Sequence, residues 1–156
     1  IALAVDISEN TIYRHFKDKD DLLKHVFVSL VQTFTAHVTA ADNPELKAST
    51  KLRTFIHAVV QWSGGNPDGL RILLELDGSH LKHLEGLFDP FDALKSIITR
   101  GQDEGLFRKD DPQWLTLFSL GLLMRPLHMK SQGLLKATWK TIESRMSTEL
   151  SRFLAI

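Results

Sequence analysis

The chain has 156 residues, of which 43% are hydrophobic and 24% charged, and its 19 basic residues are balanced by 19 acidic ones. These proportions are ordinary for a globular protein with one full core, and a net charge of zero gives no sign of the basic surface that most DNA-binding domains carry. The lack of cysteine excludes disulfides and thiolate chemistry. The most apolar run, residues 115–124, is too short to span a bilayer. We therefore expect a cytoplasmic protein with no membrane partner.

A short amphipathic helix is predicted near the N terminus. Ser8 can cap it, and Ile12 and Phe16 form an apolar stripe one turn apart. The opposite face carries Asn10 and Arg14, and the flanks carry Thr11, Tyr13 and His15. A helix with a narrow buried stripe and a hydrogen-bonding outer face suits insertion into a DNA major groove, where asparagine can pair with adenine and arginine with guanine.

The rest of the chain carries a helical hydrophobic pattern. Asp18 is predicted to cap an amphipathic helix over 19–40, with Asp21 at the capping-box position. Gly105 is placed to cap a later helix at its C-terminal end, and Pro112 suits a first helical turn. The further predicted helices cover 45–63, 70–76, 79–103 with a bend at Pro90, 114–124 with an interruption at Arg125–Pro126, and 134–154. Nothing reads as a strand, so the expected fold class is all-α.

The N-terminal residues also resemble a known family. Residues 1–8, IALAVDIS, followed by residues 11–23, TIYRHFKDKDDLL, are similar to the helix-turn-helix signature of tetracycline-repressor (TetR) family regulators. The resemblance implies a partial helix-turn-helix DNA-binding domain over 1–25 and a helical ligand-binding and dimerisation domain over 26–156. It further implies that the family's first helix precedes Ile1, and we expect this chain alone to bind DNA poorly. Asp6 stands where the family usually has a turn glycine.

The resemblance implies a function as well as a fold. Thr11, Tyr13 and Lys19 match family positions that typically contact phosphate, and the full set of DNA-contact candidates is Ser8, Asn10, Thr11, Tyr13, Arg14, His15 and Lys19. The implied protein is a homodimeric repressor that binds palindromic operator DNA and is released by a small hydrophobic or aromatic effector, without a cofactor. An alternative is a dimeric small-molecule-binding module that no longer reads DNA, because residues 1–25 hold one more acidic than basic residue.

Enzymatic activity is not expected. The sequence holds no glycine-rich phosphate loop, no paired acid/base motif and no nucleophile elbow. His80 and His83 have helical i, i+3 spacing, but two histidines without a third ligand are a weak metal signal, and we expect no metal site.

An effector pocket is expected between the helices of the body. Aromatic and polar-tipped residues at inward or near-inward positions are the candidates, although ordinary core packing is the alternative for each. An apolar lining would favour a hydrophobic or aromatic molecule. The ligand-binding candidates are Phe27, Phe34, His37, Phe55, Trp62, His80, Leu84, Phe88, Phe91 and Trp114.

The last two predicted helices carry more apolar surface than one small body can bury. Packing against their symmetry mates would give an isologous four-helix interface, and a two-fold pair of recognition helices reads a palindrome. Intramolecular core is the alternative. The interface candidates are Phe118, Gly121, Leu122, Leu135, Trp139, Ile142, Met146 and Leu150.

Overall fold

The computed structural model describes residues 15–39, 43, 45–75 and 90–156. These residues form helices and turns and contain no strand, which confirms the all-α prediction. None of the helices among them is long and apolar enough to cross a membrane. In chain order the helices are α1 (Lys19–Thr39), α2 (Ala48–Gly65), α3 (Pro67–Glu75), α4 (Pro90–Asp103), α5 (Pro112–Ser131) and α6 (Trp139–Leu154).

The long helix α1 begins at the predicted cap. The Asp18 Oδ1 atom accepts a hydrogen bond from the Asp21 backbone N–H at 2.8 Å. The Asp21 Oδ2 atom in turn accepts from the Lys17 N–H at 3.1 Å, one residue before the position that an ideal capping box would use. The cap at Asp18 is therefore confirmed.

The core is built around α2, which packs against α1, α4 and α6, while α5 covers α3, α4 and α6. Leu52, Ile56 and Val60 of α2 are almost completely buried, as are Ile98 of α4 and Leu123 of α5. Burial of one such side chain contributes about 1.5–3 kcal/mol. The predicted start of α2 at residue 45 was too early, because the Glu45 N–H bonds the Asn43 side chain at 2.9 Å in a turn.

Both predicted signals around the α4–α5 connection are confirmed. Gly105 follows α4 with a φ of 68°, and its N–H donates to the Gln102 carbonyl at 3.1 Å. Asp111 caps α5 by accepting from the Gln113 N–H at 2.8 Å, with Pro112 in the first turn. Helix α4 is described from Pro90 onward, and the predicted helical residues 79–89 lie outside the described part of the chain, so the bend predicted at Pro90 stays a prediction.

Two predictions about the C-terminal helices were wrong. Helix α5 continues through Pro126 to Ser131, because the fully buried Leu123 and Leu127 on either side hold it in the core. It ends where Gly133 takes a φ of 74°. Helix α6 begins after the Thr138 cap and not at residue 134, so residues 134–138 form a non-helical connection.

Candidate functional site

The described structure reaches the predicted DNA-binding head only at its C-terminal edge. His15 is exposed, and so is Lys19 in the first turn of α1. The Phe16 ring packs edge-to-face against His25 of α1, with 5.3 Å between the ring centroids. The other DNA-contact candidates lie outside the described residues, namely Ser8, Asn10, Thr11, Tyr13 and Arg14.

A cavity of about 190 Å³ lies between the C-terminal end of α1, the first half of α2 and helix α4. Four apolar side chains form what we call its apolar wall: Val38, Phe55, Ala93 and Ile97. The remaining lining residues are polar or charged: Thr39, Lys51, Thr54, Asp92, Ser96 and Arg100. The space therefore combines an apolar wall with several polar groups, which is the usual make-up of a small-molecule site.

Phe55 is the ligand-binding candidate that the structure places in this lining. Phe34 and Trp62 pack against each other edge-to-face, with 5.0 Å between the ring centroids, and both are buried in the core. Phe27 is also buried, and Phe91 is half-buried at the start of α4. The candidates outside the described residues are His80, Leu84 and Phe88.

The expected inward placement was wrong for two ligand-binding candidates. His37 is exposed because it precedes Val38 on α1, and the buried stripe passes through Phe34 and Val38. Trp114 is 57% exposed because Leu115, the next residue, takes the inward position on α5. A ligand-binding role for either residue stays a prediction.

Sequence reasoning missed the polar part of the cavity. Lys51 and Thr54 precede Phe55 on one face of α2, while Ser96 and Arg100 are one turn apart on α4. A search for polar residues at helical spacing beside the apolar stripes would have found them, whereas a search for aromatic residues did not.

Glu104 connects the two helices that form most of the cavity. Its Oε1 atom lies 2.7 Å from Arg100 Nε, and its Oε2 atom accepts from the Ala48 N–H at 2.9 Å. The Arg100 hydrogen bond, followed by the Ala48 amide, holds the pKa of the Glu104 carboxyl below its ordinary value. Lys47 gives α2 no side-chain cap, so Glu104 satisfies an amide at the start of that helix.

A second candidate site is an exposed apolar face of α5. Trp114, Leu117, Phe118 and Leu122 are 57%, 43%, 55% and 43% exposed, and Gly121 is exposed among them. Trp114 stacks on Phe118 at 5.9 Å between ring centroids. Contiguous exposed apolar residues of this kind mark interaction surfaces.

An apolar groove of about 320 Å³ continues this face between α5 and α6. Half of the predicted interface residues contribute to it, and Trp139 instead packs beside Gly64 of α2. Leu150 is fully buried within the chain and has no surface to offer a partner, so its predicted place in the interface was wrong. The interface candidates that line the groove are Leu122, Leu135, Ile142 and Met146.

The described residues contain no group of three or more side chains that could hold a metal ion. His80 and His83, the pair with metal-like spacing, lie outside them.

Comparison with known proteins tests the resemblance of the N-terminal sequence. Residues 1–26 match the family model for bacterial regulatory proteins of the tetR family. This N-terminal segment therefore carries the sequence signature of the tetR family. The resemblance noted in its N-terminal sequence is thereby confirmed.

Solved TetR-family structures have folds similar to that of this chain. A tetR-family bacterial regulatory protein from Rhodococcus RHA1 superimposes with a TM-score of 0.81 at 22% identity, covering 99% of this chain and 83% of that one. The TetR-family transcriptional regulator PfmR from Thermus thermophilus gives a TM-score of 0.75 at 20% identity, covering 98% and 84%. The names of both proteins describe them as regulators.

Curated relatives include two nucleoid occlusion factors named SlmA. The Haemophilus ducreyi protein is 28% identical over 99 residues, which cover 61% of this chain and 48% of the relative. The Actinobacillus pleuropneumoniae serotype 5b protein is 27% identical over 73 residues, which cover 47% and 36%. The chain therefore matches less than half of the length of these relatives.

Proposed function

We propose that this TetR-family chain belongs to a homodimeric DNA-binding transcriptional repressor that leaves its operator when a small molecule enters the cavity. The observation that carries the proposal is the course of α1. This helix begins at Lys19, inside the segment that matches the tetR-family model, and its last residues, Val38 and Thr39, line the cavity. One element therefore connects the proposed DNA-binding head with the proposed effector site. Such a protein acts where the chromosome is, in the bacterial cytoplasm.

The DNA contacts are proposed for the outward face of the N-terminal helix and the start of α1. Asn10 and Arg14 would read base edges, and Lys19 would contact phosphate at the positive end of α1. The exposed positions of His15 and Lys19 are compatible with these roles. Ser8, Thr11, Tyr13 and His15 complete the proposed contact surface.

Dimerisation is proposed through the exposed face of α5 and the groove between α5 and α6. Phe118 and Leu122 would pack against the equivalent residues of a second copy, because an isologous interface uses the same patch on both subunits. Partial exposure of such large apolar groups in the single chain supports this assignment. Gly121 lies on this face, Leu135, Ile142 and Met146 line the groove, and Trp139 at the start of α6 completes the proposed interface.

The proposed regulation depends on a difference in affinity. A ligand can move α1 only if it binds one helix arrangement more tightly than the other, and the same coupling free energy then weakens operator binding. Thr39 on α1 and Phe55 on α2 both line the cavity, so an occupant would contact the moving element and the body together.

Operator binding by the full-length gene product tests the proposal. A duplex selected from random sequence should bind far more tightly than a scrambled duplex, and the logarithm of the affinity should fall linearly with the logarithm of the salt concentration. Arg14→Ala should reduce the preference for the selected duplex, whereas Arg53→Ala, an exposed arginine of α2, should not. Equal, weak binding to both duplexes would overturn the DNA-reading function.

A dimeric small-molecule-binding module that no longer reads DNA is the second candidate. It is favoured by the acidic start of α1, where Asp20 and Asp21 lie in the first turn. Loss of sequence selectivity in the same binding experiment, together with an intact dimer, would support this candidate.

A further inference from the structure

The surface formed by α5 and α6 has two unlike halves. The helices run antiparallel, because Phe118 in the first half of α5 contacts Phe153 near the end of α6, with 6.2 Å between the ring centroids. Trp114, one turn before Phe118, stacks on it at 5.9 Å. We call these three rings the aromatic ridge. More than half of the Trp114 and Phe118 side chains is exposed, so the ridge protrudes from the chain.

The other half of this surface is the apolar groove between α5 and α6. Leu122, one turn after Phe118, lines the end of the groove that is nearer to the ridge. The groove then runs past Pro126 and Ile142 to Ala137, in the connection between the two helices. Its volume of about 320 Å³ is about twice that of the roughly 150 Å³ cavities that accept benzene, so it has room for an indole.

The spacing of the two halves suits a two-fold axis. Trp114 and Pro126 are twelve residues apart on α5, which is about 18 Å along the helix axis. Their midpoint is next to Gly121, where nothing lies within 4 Å of a Cβ atom. A two-fold axis perpendicular to α5 at this point brings Trp114 of one copy opposite Pro126 of the other. The missing side chain lets the two α5 helices approach closely there.

The exposed apolar area agrees with such an interface. With about 200 Å² for each large side chain, the exposed parts of Trp114, Leu117, Phe118 and Leu122 amount to roughly 400 Å². A stable interface takes about 800 Å² from each partner. The exposed face of α5 therefore supplies about half of the area, and the groove is the apolar surface next to it that can supply more.

The rim of the groove also suits an aromatic occupant. Arg145 lies there on the exposed side of α6 and forms no ion pair with any residue that the structure describes. A guanidinium is attracted to the face of an aromatic ring, most strongly to that of tryptophan. The chain already contains one such contact, since the Arg108 guanidinium lies 4.5 Å from the centre of the Phe153 ring.

We propose that Trp114 of each subunit inserts into the groove of the other, so that the dimer contains two equivalent aromatic contacts about an axis near Gly121. The proposal rests on the dimer proposed above and adds which parts of its surface meet. The occupant is a second copy of this chain, because one chain carries both the protruding ring and the groove, at matching distances from the axis.

Cross-linking between introduced cysteines tests this arrangement. Residues 1–156 contain no cysteine, and any outside them in the full-length protein would first be replaced by serine. Trp114→Cys combined with Ala137→Cys should be joined into covalent dimers by a short bismaleimide, because within one chain the two positions lie at opposite ends of α5. Trp114→Cys combined with Gln32→Cys, at an exposed position of α1, is the matched control and should give only background linkage.

The pattern of links separates this proposal from the proposed dimer itself. If Trp114→Cys alone is linked as efficiently as the pair, the two tryptophans meet each other at the axis and the insertion is wrong. If the protein sediments as a dimer but the pair is linked no better than the control, the insertion is wrong while the dimer remains. A monomer in the same sedimentation experiment would overturn both.

Dissociation constants give an independent measure. Trp114→Ala should weaken self-association about tenfold or more, because buried aromatic anchors dominate interfaces, and its 57% exposure predicts an unchanged helical circular dichroism. Ala137→Phe should fill the groove and weaken association in the same way. The double variant should be little weaker than either single variant, because both remove one contact. Losses that multiply would show that Trp114 and the groove act separately and would overturn the proposal.

Discussion

The Glu104 carboxylate accepts the backbone N–H of Ala48 at 2.9 Å, across 56 residues of sequence. Because its other oxygen lies 2.7 Å from Arg100 Nε, a single side chain joins the start of α2 to the end of α4. This contact joins the two helices that contribute most of the cavity lining. It also couples the stability of the fold to pH.

Replacement of Glu104 by Gln should lower the melting temperature at neutral pH, because the amide cannot form the ion pair with Arg100. The folded-state pKa of Glu104 is lowered, so its stabilising contribution is present above the ordinary pKa of about 4.3 and is lost as the pH falls through the lower folded value. The difference between wild type and variant should therefore shrink in acid. Thermal unfolding followed by circular dichroism from neutral to acidic pH measures it, and a difference that grows below the ordinary pKa would contradict the assignment.

Gly101→Ala should destabilise the protein although alanine is the better helix former. A Cβ atom built on Gly101 overlaps the buried Phe107 ring, so the ring must move, at a cost of about 1–3 kcal/mol. Gly65→Ala at the end of α2 is the matched control, because nothing lies within 4 Å of a Cβ atom there. Chemical denaturation should give a lower unfolding free energy for the first variant only, and equal stability of both variants would refute this packing.

Leu122→Asp should convert the proposed dimer into a monomer. The side chain is 43% exposed, so the single chain loses little, whereas an interface would have to bury an unpaired carboxylate. Sedimentation velocity at micromolar concentration reports the change. Gln32→Asp adds the same charge to an exposed position of α1 and should leave the dimer intact. A wild-type protein that already sediments as a monomer would remove the basis for this interface.

Gly121→Leu tests whether a second copy packs against this position of α5, since the fold of the single chain should not change. Nothing lies within 4 Å of a Cβ atom at Gly121, and leucine is favoured over glycine inside a helix by up to about 1 kcal/mol. The folded chain should therefore tolerate it, while a helix that approaches this position from a second copy would be pushed away. We expect weaker self-association without a loss of helical circular dichroism. Unchanged association would place the interface away from Gly121.

The local features of the fold were predictable from the sequence because their causes lie within a few residues. The Asp18 cap involves Asp21, and the stop after α4 needs only the positive φ of Gly105. The course of α5 through Pro126 was not predictable in this way, since it depends on burial of Leu123 and Leu127 against other helices.

The candidate sites differ in the same way, because one depends on a single helix and the other on the packing of two helices. The exposed apolar face of α5, centred on Phe118, could be predicted because apolar surplus is a property of the helix itself. The polar part of the cavity could not, because Lys51 and Arg100 line one cavity only when α2 and α4 pack together. Aromatic residues did not predict the cavity lining well, since Phe34 and Trp62 pack against each other in the core.

The length of α1 has a mechanical consequence. Its 21 residues make a rod of about 30 Å, with one end in the cavity wall at Thr39 and the other capped by Asp18 at the edge of the N-terminal head. If the rod pivots at its cavity end, a tilt of about 4° displaces the other end by about 2 Å, since the arc grows in proportion to the length. A movement of the helix near Val38 that is smaller than a bond length thereby becomes a displacement of about 2 Å at its N-terminal end. Such a displacement is larger than a hydrogen bond to a base edge tolerates.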